Sequence, residues 1–192
     1  HAARSAMSEA AAELCDGKGA DRAALKMQPG QKAGDGGSVG LRFALQNDMR
    51  MMFEWQTHPD TRRFARNPEP PGFEEHKSWF EGVMADPGRE LYVITHDMRD
   101  AGIFRLDRMA GDAMEVSIVV APEFRGRGVG RASLEFASVF RADVDLHAEI
   151  LPGNEGSRKI FLAAGYEPVG ETNYVRKAII NTEKLNAGCD NN

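Results

Sequence analysis

The stretch 114–137 restricts the fold of this chain more than any other. Glu115 to Val120 is a β-branched run that reads as a strand, and Pro122 stops it. Gly126, Gly128 and Gly130 follow within five residues, and then Leu134, Phe136, Ala137 and Phe140 fall at helical spacing. The predicted unit is strand, turn and helix. Three glycines leave the backbone uncovered by Cβ atoms, so its N–H groups can approach a ligand closely. They stand at a helix entrance, where unpaired N–H groups and the positive end of the dipole converge. Arg125, Arg127 and Arg131 add full charges there, and Val129 lies within the turn. Such a place suits an anion, most naturally a phosphate or pyrophosphate.

Two familiar phosphate patterns do not fit. A P-loop requires Gly-Lys-Ser/Thr, and no lysine follows this turn. In a Gly-x-Gly-x-x-Gly count from Gly126 the third glycine falls on Arg131. What fits is Arg125-x-x-Gly128-x-Gly130 behind an apolar strand carrying Glu115. That segment resembles the acyl-CoA pyrophosphate loop of the GNAT superfamily of N-acetyltransferases. The competing reading is a glycine-rich β–α turn with surface arginines.

Composition narrows the rest. With 192 residues, 42% of them hydrophobic, the chain can hold one ordinary domain and an appendage. A net charge of −5 argues against a general nucleic-acid or anionic-membrane binder. No apolar run approaches the ~20 residues that cross a bilayer, and the first residues have no charged-then-apolar leader. Cys15 and Cys189 stand far apart without metal-ligand spacing, so a reduced, cytoplasmic chain with no metal is expected.

Read in order, residues 1–25 form an Ala-rich helical appendage and 26–38 a flexible linker rich in glycine. The main domain runs over 39–180, and 181–192 is a polar tail. Expected elements are a strand at 39–45, helices at 47–57 and 73–84 separated by a Pro-rich loop at 60–72, and strands at 91–95, 102–107 and 113–120. A helix at 129–141, a strand at 144–151, a helix from 154, and strands at 166–169 and 174–180 complete it. The resemblance to the superfamily covers nearly all of this domain. It implies an α/β (α+β) GNAT fold: a mixed, mostly antiparallel sheet of about seven strands flanked by helices, with a β-splay at the acyl-CoA site.

A second stretch, Asn154-x-x-Ser157-x-x-x-Phe161-x-x-x-Gly165-Tyr166, resembles the family segment Asn-x-x-Ser-x-x-x-Tyr-x-x-x-Gly-Phe. By that resemblance acetyl-CoA is the cosubstrate. Ile118, Val119 and Val120 line the pantetheine arm, Arg125, Gly126, Arg127, Gly128, Val129, Gly130 and Arg131 hold the phosphates, Asn154 bonds the arm, and Arg158 and Phe161 stand beside it. A plain helix N-cap is the alternative for Asn154. Phe161 replaces the family's tyrosine, which protonates the leaving thiolate. A thiol pKa of about 8.5 makes that proton undemanding, so the change is tolerable; Tyr92 or Tyr174 could stand in. Glu115 is the general-base candidate, set against a solvated or salt-bridged strand glutamate. His76 is a weaker one.

The acceptor side resembles a narrower group, the acetyltransferases of bacterial nucleotide-sugar pathways such as that to pseudaminic acid. Trp55, Pro59, Arg62, Glu75, His76, Trp79 and Phe80 match its pattern, whereas Thr57 and His58 depart from it. Residues 14–25 resemble the closing segment of the same pathway's UDP-sugar hydrolase. These likenesses imply a small-molecule amine acceptor, the amino group of a UDP-linked deoxyaminosugar, with Trp55, Arg62, His76 and Trp79 binding it. For the two tryptophans the plain alternative is core packing. A protein N-terminus or lysine, or a CoA-binding module without chemistry, are the rival readings, and the chain is expected as a monomer or homodimer.

Overall fold

Three long neighbouring segments in which apolar residues recur on the inward face build the centre of one sheet. They are β3 (Arg89–His96), β4 (Arg99–Arg108) and β5 (Ala113–Val120). β1 (Gln31–Lys32), β2 (Ser38–Phe43), β6 (Asp145–Glu149), β7 (Glu167–Pro168) and β8 (Asn173–Arg176) extend it to eight strands, in the order β1-β2-β3-β4-β5-β6-β8-β7. The computed structural model describes residues 27–111 and 113–179, together with 23 and 25. The helix expected within 1–25 and the tail over 181–192 fall outside those residues, apart from Ala23 and Leu25.

Helices cover both faces. α1 (Met49–Thr57), the short α2 (Pro59–Arg62) and α3 (Phe73–Ala85) precede β3, α4 (Val129–Phe140) joins β5 to β6, and α5 (Glu155–Ala163) follows β6. Phe140 of α4 meets Tyr92 edge-on at 6.3 Å, whereas Trp79 of α3 lies under the Arg105 guanidinium at 5.5 Å. Tyr92 and Arg105 stand on paired strands with their side chains on opposite faces, so α4 and α3 sandwich the sheet. α4 buries Leu134, Phe136 and Ala137, each larger side chain worth about 1.5–3 kcal/mol over exposure. Every strand pair is antiparallel except β5–β6, which is joined by the crossover helix α4.

β2 is tied to the entrance of α1 by charge. Arg42 donates to both Asp48 carboxylate oxygens at 2.7 and 2.9 Å, and the Leu45 N–H donates to the same group at 2.7 Å. Burial pushes the Asp48 carboxyl up, but those hydrogen bonds outweigh it and hold the group below the usual carboxylate range.

Three local expectations are corrected. The 26–38 segment is not a free linker over its whole length. Gln31 and Lys32 pair with Val39 and Ser38, Ala33 is buried, and Leu25 joins the core. Within the loop at 60–72, residues up to Arg62 are helical: Pro59 ends α1 but serves as the first residue of α2, where its missing N–H costs nothing. The β3–β4 turn is Asp97–Met98, both at positive φ (47° and 65°), a tight hairpin turn without the glycine that would announce it.

Candidate functional site

The sheet parts between β5 and β6. They share three rungs, Ala113 with Asp145, Met114 with Leu146 and Glu115 with His147. Beyond these β5 pairs only with β4, as far as Val120 opposite Gly102, and β6 only with β8, as far as Glu149 opposite Asn173. A wedge therefore opens in the sheet with Glu115 on its last shared rung. Ile118, Val119 and Val120 line one wall, all partly exposed. Ile118 and Val120 turn to the α4 face, Val119 and Glu115 to the α3 face.

The glycine turn stands at the mouth of that wedge. Pro122–Phe124 make one 3₁₀ turn, Gly126 and Gly128 take left-handed conformations (φ 74° and 84°), and α4 begins at Val129. Among the described residues no protein acceptor meets the N–H groups of Gly126 through Arg131, so they and the helix dipole are available to an anion. Val129, 1% exposed, anchors the turn in the core. Gly130 is closely packed: a Cβ there would lie 2.9 Å from Ile160 Cδ1 and 3.3 Å from Val120 Cγ2, so those side-chain ends would have to shift. This donor set and the adjoining wedge fit an acyl-CoA, its diphosphate on amides and its arm between strands.

The arginines differ from the expectation that they ring the phosphate. Arg125 is built into the protein, with Nε on the Val120 carbonyl at 3.2 Å, Nη1 on Asp60 at 3.0 Å and Nη2 on Thr61 at 2.8 Å. It fastens the turn to α2. Arg127 lies over the Phe124 ring at 5.4 Å, and Arg131 pairs with Glu135 at 2.8 Å in an exposed i,i+4 bridge that holds it weakly. Among the described residues, the donors left free at this turn are backbone amides first.

On α5, Asn154 accepts the Ser157 N–H at 3.1 Å and caps the helix. Arg158 bonds Glu155 at 3.2 Å, and its charge is further favoured by Tyr174. Phe161 is 3% exposed, with its ring edge-on to Tyr166 at 4.9 Å, and it presents no proton. Of the stand-ins, Tyr92 donates to Glu90 at 2.7 Å within β3, two strands from the wedge. Tyr174 lies on β8 opposite Ala148 and beside Arg158, on the α5 side of the opening.

Glu115 is salt-bridged. Arg66, from the loop after α2, reaches across the wedge to Glu115 on β5 and to Glu149 on β6. Both carboxylates and burial act on this guanidinium, and the Glu149 and Glu115 bonds raise its pKa. Glu149 escaped the sequence reading because its relation to Glu115 exists only once β6 lies parallel to β5. Arg66 is 62% exposed and free to swing, so Glu115 is held, not sealed.

The residues expected to touch an acceptor divide. Trp55 is 8% exposed and His76 1%, both inside the core. His76 donates from Nε2 to the Met49 carbonyl at 3.1 Å, Nδ1 has no partner among the described residues, and burial holds its pKa down. Periodicity explains the correction: Trp55 with Met52, and His76 with Phe80 and Val83, fall on the buried sides of α1 and α3. Trp79 is half-buried between His76, at 5.3 Å, and Arg105. Arg62 turns into its own loop to bond the Asn67 carbonyl, and its Nε is buried without a partner among the described residues. Arg63 is exposed on that loop, and Arg66, also exposed, is engaged with Glu115 and Glu149.

Known proteins share this architecture. The profile of the acetyltransferase (GNAT) domain matches residues 39–167. An uncharacterized protein of Methanocaldococcus jannaschii is 25% identical over 146 residues, 71% of this chain but 30% of that protein, so the chain spans under a third of that relative's length. The Vibrio cholerae spermidine N-acetyltransferase, solved with CoA and spermine, superposes with a TM-score of 0.66 at 14% identity, over 73% of this chain and 95% of that one. The aminoglycoside acetyltransferase AAC(6')-Ib, solved with coenzyme A, gives 0.65 at 15%, over 78% and 99%. A domain from M. jannaschii gives 0.62 at 24%, over 72% and 96%. By the profile match over most of its length, this chain belongs to the acetyltransferase (GNAT) domain family.

Proposed function

We propose that this chain is an acetyl-CoA-dependent N-acetyltransferase acting on a primary amine, and that its acceptor is the amino group of a UDP-linked deoxyaminosugar. The observation that carries the reaction class is the wedge between β5 and β6, with a helix entrance of unpaired amides at its mouth and Glu115 at its apex. Acetyl-CoA, when bound, supplies the thioester carbonyl that the amine attacks, forming the C–N bond as the C–S bond breaks. The amides of Gly126 to Arg131 hold the diphosphate, and the edge of β5 orients the arm. Glu115 takes the ammonium proton, directly or through one water, once Arg66 moves aside. The thiolate leaves without a donor at Phe161, as its modest basicity allows, and the second proton, shed by the nitrogen as the amide forms, passes through water to the departing sulfur or to solvent.

The acceptor reading is supported by the sequence likeness to the nucleotide-sugar group and by Arg63 and Arg66, exposed on the loop beside Glu115 and suited to a diphosphate. Residues 14–25, with their likeness to a UDP-sugar hydrolase, point to the same pathway. A polycationic amine is the second reading. It is favoured by Glu115 and Glu149 flanking one guanidinium, as they could flank an ammonium, and by the spermidine and aminoglycoside enzymes of the same fold.

The test is product mass spectrometry with acetyl-CoA and four acceptors: a UDP-linked deoxyaminosugar, spermidine, an aminoglycoside and an N-terminal peptide. Acetylation of the sugar nucleotide at the highest kcat/KM is expected. Preference for another amine replaces the acceptor, and no turnover with any leaves a CoA-binding module. Glu115→Gln should lower kcat by ~10²–10⁴-fold with acetyl-CoA affinity retained; unchanged turnover removes Glu115 from the base role.

A further inference from the structure

We propose that the tight turn Ala33–Gly37, which precedes the segment matched by the family profile, is a clamp that orients the glycine turn for its diphosphate, with Asp35 as the positioning residue. The inference rests on the reading of residues 126–131 as the acyl-CoA seat. The two turns touch through backbone. The Asp35 N–H donates to the Arg127 carbonyl at 3.3 Å, and a Cβ placed on Gly128 would lie 2.4 Å from the Gly34 nitrogen. A Cβ on Gly34 would in turn meet the Arg127 oxygen at 3.2 Å. At 128 only glycine lets the chains approach so closely, and at 34 a side chain would press on the Arg127 oxygen.

The consequence follows from peptide geometry. In a trans peptide the carbonyl of one residue and the N–H of the next point in opposite directions. With the Arg127 carbonyl held toward the clamp, the Gly128 N–H must point away from it. That donor is among those without a protein acceptor at the start of α4. Two left-handed glycines would otherwise let this peptide flip, and the flip would present an oxygen to the phosphate instead of a proton. The clamp removes that freedom before the ligand arrives, which lowers the ordering cost of binding.

The clamp itself is set by Asp35. Its carboxylate accepts the Gly37 N–H at 3.1 Å and His96 Nε2 at 2.9 Å, and the Ala33 N–H closes on the Gly37 carbonyl at 2.9 Å. The hydrogen bond from His96, then that from Gly37, hold the Asp35 carboxyl below the usual range. His96, 6% exposed, packs on Phe124 at 5.5 Å, and Arg99 and Arg127 lie over the same ring at 5.2 and 5.4 Å. The β3 terminus, the clamp and the approach to the glycine turn thus meet around one aromatic.

The experiment uses the full chain, with CoA titrated by calorimetry and both substrates varied in steady state. Asp35→Ala should weaken CoA binding and raise the acetyl-CoA KM by ~10-fold, the loss expected when about one hydrogen bond's worth of pre-ordering is removed. The kcat at saturation and the acceptor KM should stay within about twofold. Asp35→Asn keeps an acceptor for Gly37 and should restore most of the affinity. Gly34→Ala, which presses on the Arg127 oxygen, should shift the same constant in the same direction. CoA affinity unchanged in both Asp35→Ala and Gly34→Ala overturns the clamp while leaving the enzyme reading intact. An equal fall in kcat and in both specificity constants marks general damage and also overturns it. A wild-type chain without CoA affinity overturns the function reading and the clamp together.

Discussion

The glycine turn at 126–131 and the helix pair α1–α3 approach one wedge from different sides, and they encode their tasks differently. What the turn can offer a ligand is backbone amides. Its requirements are written in residue type, because left-handed conformations at 126 and 128, and the approach of the Gly34 nitrogen to 128, favour glycine. The helix pair could offer only side chains, whose direction depends on how each helix rolls against the sheet. Trp55 and His76 look chemically capable in the sequence and are core residues in the fold. Residue type announces a backbone site but only nominates a side-chain one.

Substitution at Gly128 probes the backbone side hardest. Gly128→Val places a branched side chain at φ 84° against the Gly34 nitrogen, so CoA affinity should fall by at least ~100-fold, read by calorimetry. Retained affinity would show that the turn tolerates side chains and would erase the contrast. On the other side, Trp55→Ala should cost about 3–5 kcal/mol of folding stability in denaturant melts, while the acceptor KM of the folded fraction stays within about twofold. A stable variant with a tenfold higher acceptor KM would return Trp55 to the binding surface.

The smallest effect is a pH term at His76. Burial lowers its folded pKa below the unfolded ~6.5, so the folded state prefers the neutral ring. Its contribution is full above pH ~6.5, falls as the unfolded chain takes up the proton, and levels off below the folded pKa. His76→Gln should flatten the stability profile in that window, without altering the acceptor KM. A profile unchanged by the substitution would mean that the ring is solvated.

The legible and illegible parts of the fold sort by the same rule. The run 115–120, Pro122 and the apolar spacing of 134–140 gave β5 and α4 nearly to the residue, because each boundary rests on local chemistry. The capping role of Asn154 was readable for the same reason. What could not be read depends on distant partners: Arg125 bonding Asp60 and Thr61, Arg66 bridging Glu115 and Glu149, and the 31–37 segment folding onto a turn some ninety residues later. Its glycines suggested looseness from composition, whereas in the fold Gly34 lies against the Arg127 backbone and Gly37 against the His96 side chain, whose ring a Cβ would strike at 2.2 Å.

The two flanks of the sheet end abruptly. Gln31–Lys32 closes one side and Glu167–Pro168 the other, each only two residues long, one carrying a lysine and the other an imino acid with no proton to give. Among the described residues, a passing strand finds only two residues to pair with on either outermost strand. Pairing between copies through these two border strands is disfavoured by their length alone.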